Sequence, residues 1–205
     1  MQADKFAGCT ILNKMASHAD SRRAYKRLLA SGDYFAERTY YSEESGGFVV
    51  VHRGHMTGGL DSEMETARFY ADRGVWVRLL DETGRGPFAD AHHGGPRGDG
   101  LRWDYKTAQA SGSPKSQVQS GISSGKKPSG NILIRFEEQM VNMDLLNRGV
   151  RAAFLHDQKR VKQGGQPLVR HLVLLFRTLT GYFEESRTPE EFFNEGLFRG
   201  PERND

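Results

Sequence analysis

Leu101-Arg-Trp-Asp-Tyr-Lys-Thr107 alternates apolar and polar residues, and its reading decides where the rest of the chain belongs. Side chains along a strand point to its two faces in turn, so Leu101, Trp103 and Tyr105 share one face and Arg102, Asp104 and Lys106 the other. The rings are expected to face a core, with Asp104 and Lys106 side by side on the outer face. A carboxylate beside an ammonium can hold a metal ion and the phosphate that the ion activates. The plainer alternative is an ion pair on a half-exposed strand, so the other parts of a site must come from elsewhere in the sequence.

Just upstream, Phe88-Ala-Asp-Ala91 is expected to be a strand ending in Asp90. A Gly-rich loop, His92 to Gly100, then joins it to the Asp104 strand as a hairpin. Asp99, within that loop, is a second candidate for the acid facing Asp104. His92 and His93 have no further clustered ligands, and a Gly-flanked pair of this kind reads as a loop feature rather than a zinc site. Further back, Phe48-Val-Val-Val51 reads as a strand, and the nearly continuous apolar run Val75-Trp-Val-Arg-Leu-Leu80 as a central one. Between them Asp61-Ser-Glu-Met-Glu65 opens a helix with Met64, Ala67 and Ala71 on its buried stripe and Gly74 at its end. Ser62 and Glu65 have the spacing of a capping box, which gives Glu65 a structural role and leaves Glu63 as the freer carboxylate.

Residues 107–130 are rich in Ser, Gly, Gln and Lys, with Val118 and Ile122 as the only spaced aliphatics. They predict a short helix flanked by flexible basic loop. Gln109, Lys126, Lys127 and Arg135, the last within the strand Asn131-Ile-Leu-Ile-Arg-Phe136, are candidates for contact with a nucleic-acid backbone. For the three cations the alternative is a solvated edge that blunts strand pairing. Leu145 to Leu155 predicts an amphipathic helix with Arg148 and Arg151 exposed, followed by the close group Lys159, Arg160 and Lys162. Leu168-Val-Arg-His-Leu-Val-Leu-Leu-Phe176 reads as a long strand, and Thr188-Pro-Glu-Glu191 caps a last short helix. Near the start, Asp20 to Ser31 predicts a helix with Arg22, Arg23, Lys26 and Arg27 on its polar face. The rings of Tyr34, Phe35, Tyr40 and Tyr41 follow in an acidic stretch, read as packing groups with base stacking as the alternative.

The 205 residues suffice for one sizeable core with additions. With 29 Lys and Arg against 26 Asp and Glu, the net charge of +3 permits an anionic partner without requiring one. The lone Cys9 excludes an internal disulfide framework and a multi-cysteine zinc site. No run is apolar enough to span a membrane. Met1-Gln-Ala-Asp-Lys5 lacks the flank and core of a secretory signal, which leaves a cytosolic chain or a segment of a larger secreted protein.

In order, the parts are a helix bearing Glu63, a central strand, a strand ending in Asp90, and the strand of Asp104-Tyr-Lys106, then helix, strand, helix, strand. This resembles the core of the PD-(D/E)XK nuclease superfamily, with Ala89-Asp90 in place of Pro-Asp and Asp104-Tyr105-Lys106 as the acid-x-Lys element. The stretches Glu63-Met-Glu-Thr-Ala67, Ala71-Asp-Arg-Gly74, Val77-Arg-Leu-Leu80, Ala89-Asp-Ala91 and Trp103-Asp-Tyr-Lys-Thr107 are similar to the C-terminal tRNA nuclease domains of CdiA-type contact-dependent growth inhibition toxins. The likeness covers Phe48 to Phe176.

It implies an α/β (α+β) restriction-endonuclease-like fold, a central mixed sheet flanked by helices. A nuclease domain over 48–183 would be preceded by a helical region over 1–47 and followed by a helix and tail over 184–205. It also implies a metal-dependent endonuclease, a tRNA-directed hydrolase acting as a toxin in a bacterial cytoplasm and neutralised by a cognate immunity protein. Asp90, Asp104 and the Tyr105 backbone carbonyl would bind Mg²⁺, Glu63 would complete the site directly or through water, and Lys106 would act on the attacking water. The rivals are a DNA endonuclease of the same fold and a non-catalytic nucleic-acid- or partner-binding domain.

Overall fold

The computed structural model describes residues 18–201, apart from 57, 85, 110 and 138–140. Cys9 and the first five residues lie outside the described part, as do the last four. The chain is mixed α/β and divides into two compact units, one of residues 1–83 with 91–101, the other of 84–90 with 102–205. This division coincides with neither expected boundary, at 47 or at 183. Among the described residues no helix is long and apolar enough to cross a membrane.

In the first unit, helix α1 occupies 18–30. Strands β1 (Tyr34–Tyr41) and β2 (Phe48–His52) pair antiparallel, β2 and β3 (Trp76–Leu79) parallel, and β3 and β4 (Ala91–Gly94) antiparallel. Two parallel neighbours need a crossover, which α2 (Leu60–Ala71) supplies. The Phe48 to Val51 run is wholly buried, as its sequence predicts, together with Val77, Leu79, Ala67 and Ala71. Gly47 has no alternative: a Cβ there would lie 2.0 Å from the Ala71 carbonyl oxygen.

Several expectations are corrected here. The region over 1–47 is not helical throughout, because Tyr34–Tyr41 is a strand. Helix α2 starts earlier than the Ser62-x-x-Glu65 spacing indicated: its N-cap is Gly59 in the left-handed conformation, so Ser62 lies inside the first turn and Glu65 is exposed on the helix. His92 and His93 lie on β4 rather than in a loop, with His93 buried. Asp90 therefore precedes a strand instead of ending one.

The second unit is built from β5 (Arg102–Ala108), α3 (Pro114–Gly125), β6 (Asn131–Phe136), α4 (Met143–Lys162), β7 (His171–Thr178), β8 (Gly181–Arg187) and α5 (Pro189–Asn194). Strands β5, β6 and β7 run parallel and β8 closes antiparallel on β7. Ile132, Ile134 and Phe136 on β6, with Leu172, Leu174 and Phe176 on β7, form a core with Val118 and Ile122 of α3 and Leu146, Val150 and Phe154 of α4. Thr188 and Glu191 make the expected capping box of α5. The buried Asp157 carboxylate of α4 accepts the backbone N–H groups of Leu168 and Val169 and so anchors the approach to β7.

Candidate active site

The register of β5 against β6 pairs Asp104 with Ile132 and Lys106 with Ile134. Paired residues on adjacent strands project to the same side. Asp104 and Lys106 therefore lie on the face that α3 covers, and the expected outer, solvated face is corrected to a covered one. Asp104 is 2 % exposed, less than the neighbouring rings of Trp103 and Tyr105. Both faces of β5 are thus buried at this point.

Helix α3 can lie so close because it has no side chains where it crosses the acid. A Cβ on Gly125 would stand 2.5 Å from Asp104 Oδ2, and one on Gly121 would stand 2.7 Å from Ile134 Cδ1 and 3.9 Å from Lys106 Cβ. The glycines of the expected short helix are the means by which it closes over a carboxylate. Gly125→Ala is expected to push the Asp104 carboxylate off its position, with a loss of about 1–3 kcal/mol in unfolding free energy from overpacking. Urea titration measures that loss.

Asp90 is buried beside the same strand. Its Oδ2 accepts the backbone N–H of Tyr105 at 2.6 Å. Lys106 Nζ lies 2.9 Å from Asp104 Oδ2 and 3.7 Å from Asp90 Oδ2. The lysine side chain is 32 % exposed while the carboxylates are 3 % and 9 % exposed, so the ammonium stands at the solvent end of the group. Within a strand the N–H and C=O of one residue leave the same edge. The Tyr105 carbonyl therefore emerges on the edge that its N–H shares with Asp90. Asp99 belongs to the first unit: exposed in the turn before β5, it accepts the Leu101 N–H at 2.8 Å.

Glu63 belongs to the first unit, where its Oε2 is 2.6 Å from His55 Nε2. His55 Nδ1 faces the Leu80 carbonyl at 2.9 Å and the Glu82 carboxylate at 3.5 Å. Every group facing the ring is an acceptor, so both nitrogens carry hydrogen and His55 is an imidazolium. Burial opposes that charge, but the bond and charge of Glu63, the Leu80 carbonyl and Glu82 outweigh it and raise the pKa above the usual histidine value. Sequence reading missed this cluster: His55 sits in a Gly-rich loop, and nothing local marks it as buried.

The nucleic-acid candidates separate. Lys127 and Gln109 are exposed and Lys126 half-buried. Arg135 is corrected to an interior group: it is 2 % exposed on β6, with its guanidinium 2.5 Å from Glu137 and within reach of the Tyr182 hydroxyl. Among the described residues, no three His, Cys, Asp or Glu side chains are grouped to hold a metal ion. The set at β5 is instead two carboxylates and a backbone carbonyl with an ammonium between them, one negative charge in excess. That donor set fits Mg²⁺, which is bound through one or two carboxylates and keeps several waters. Comparison of the chain with family models, with curated proteins and with solved structures gave no match.

Proposed function

We propose that the chain is a metal-dependent endoribonuclease of PD-(D/E)XK type that cleaves tRNA, the toxic domain of an interbacterial competition system with its own immunity protein. The observation that carries the reading is the convergence of Asp90, Asp104 and Lys106 in one unit, with Asp90 fixed by the N–H of the residue between Asp104 and Lys106. The choice of tRNA and the toxin role rest on the resemblance of the motif-bearing stretches.

Asp90, Asp104 and the Tyr105 carbonyl would hold Mg²⁺, which when bound supplies an activated water and offsets charge on the phosphate. Asp90 is oriented for this by the Tyr105 N–H, and Asp104 by the Lys106 ammonium and the close approach of α3. Lys106 presents Nζ to the solvent end of the group, where its positive charge stabilises the phosphate oxygens as negative charge builds on them. The same ammonium hydrogen-bonds and aims the attacking water. Positioning and charge stabilisation are the roles that its place at the solvent end supports. Glu63, held by His55, is given the role of tying α2 to the segment that follows β2 in the first unit.

Incubation with total tRNA and with supercoiled plasmid, each with Mg²⁺ or with EDTA, tests the reading. The expected result is loss of intact tRNA with Mg²⁺ alone and an unchanged plasmid. Nicking of the plasmid without loss of tRNA would replace the substrate by DNA. Loss of neither would leave a binding domain.

A further inference from the structure

Helix α4 carries a stripe of exposed cations, and its remaining cation, Arg160, lies off that stripe and donates to the Gln166 carbonyl. Arg148, Arg151, Lys159 and Lys162 are exposed, and their spacing with Leu155 keeps all five within about 80° of the helix circumference. Opposite them lie Leu146, Val150 and Phe154 in the core, and Gly149, whose added Cβ would be 2.6 Å from the Lys115 carbonyl of α3. The stripe runs about 21 Å along the axis. Asp144, one turn before Arg148, is the only acid on it; the helix's other acid, Asp157, is buried and occupied by Leu168 and Val169. Among the described residues none of the four cations has a carboxylate within 4.0 Å, so the field of the stripe is not cancelled at close range.

Position at a helix C-terminus explains Lys159 and Lys162, which complement the helix dipole. It does not explain Arg148 and Arg151, in the first half of the helix. The adjoining segment 107–136, which includes α3, contains no Asp or Glu but supplies Lys115, Lys126 and Lys127. The first unit differs: its depression of about 800 Å³ between β1 and α2 sets Arg38 and Arg68 against Glu37, Asp61 and Glu65, two cations against three acids.

We infer that the outer face of α4 is a docking surface for a phosphodiester backbone, gripping the RNA substrate through Arg148, Arg151, Lys159 and Lys162 apart from the Asp104 and Lys106 site. The inference rests on the proposed RNA substrate but not on cleavage. Arg suits phosphate because its fork makes paired bonds, and two Lys add point charge where exact geometry is not needed. Leu155, 46 % exposed between Arg151 and Lys159, offers an apolar contact to ribose or base.

The test is binding of total tRNA in EDTA, where cleavage cannot proceed, across about 50 to 200 mM salt. The R148Q/R151Q/K159Q/K162Q chain is expected to bind at least about tenfold more weakly at 0.1 M salt. Its plot of log affinity against log salt should be shallower by about 3, near 0.7–0.9 per cation removed. Unchanged thermal unfolding would exclude a folding defect, since all four side chains point to water. An equal loss from K26Q/R27Q/R53Q on the first unit would mean diffuse attraction and overturn the assignment. So would absence of tRNA binding by the unaltered chain. Unchanged tRNA affinity in the quadruple variant, with lost binding to poly-glutamate, would give the face to an acidic protein and overturn it too. Tight tRNA binding that depends on the stripe, without any cleavage in Mg²⁺, would keep this surface and remove the nuclease reading.

Discussion

Lys106→Ala should reduce Mg²⁺-dependent tRNA cleavage by at least about 10²–10³-fold while the chain stays folded. The ammonium is 2.9 Å from one buried carboxylate and 3.7 Å from another, and its side chain is the most exposed of the three. Its loss removes the positive charge that faces the phosphate and leaves Asp90 and Asp104 to repel one another. Calorimetric titration with Mg²⁺ should still detect binding in Lys106→Ala, because Asp90, Asp104 and the Tyr105 carbonyl remain. Lys106→Met, which keeps the bulk of the stem, separates lost charge from lost packing and is expected to be equally inactive. Cleavage at the unaltered rate in both variants would remove Lys106 from the chemistry and with it the reading of the site. Asp99→Ala, altering only an exposed turn, is expected to leave cleavage intact.

The elements that were legible in the sequence are those whose own side chains report their burial. β2, β3 and β6 are dominated by apolar residues, many of them β-branched or aromatic, and the structure places each within one residue of its expected limits. The helix in 107–130 was found from Val118 and Ile122 alone, and both are buried. The sequence does not announce β1, β4 and β8, of which β1 and β8 each pair with a single neighbour. β1 is half-exposed on both faces and β8 carries Glu184 and Glu185, so neither shows the clean alternation of a half-buried strand. Charges at a strand margin look like loop when read locally.

The site was legible in composition and illegible in placement. Asp104, Lys106 and Asp90 do meet, but which face of β5 is covered depends on Gly121 and Gly125, and glycine contributes nothing to a hydrophobic pattern. Arg135 reads as a surface cation because its partners, Glu137 and Tyr182, include one that only the β8 hairpin brings near. Ser62 and Glu65 matched a capping pattern, yet the left-handed Gly59 had already begun the helix. His93 reads locally as a loop residue and nothing marks His55, while burial, a long-range property, gives both their chemistry.

His93 should make the first unit acid-labile. It lies on β4 with its ring 4.5 Å from that of Tyr70. Burial pushes its pKa down to about 4, with Asp99 opposing and His92 adding to the shift. In the unfolded chain the same ring titrates near about 6.5. Because the folded value is the lower one, the stabilisation is complete above about 6.5 and is lost as the pH falls toward 4. Its size is up to about 3 kcal/mol. His55 acts in the opposite sense: its folded pKa is raised, so its contribution is complete below about 6.5 and is lost as pH rises through the folded value. The first unit thus holds one histidine that must stay neutral and one that must stay charged, and its stability should be greatest between their two transitions. The chain has two tryptophans, and Trp103→Phe leaves Trp76 of β3 as a reporter of the first unit. Urea midpoints followed by Trp76 fluorescence are expected to fall steeply between pH 6 and pH 4, and His93→Phe in the same background should flatten that fall. An acid slope equal in the two chains would place the lability elsewhere. His55→Gln should instead remove the decline on the alkaline side and leave the acid limb in place.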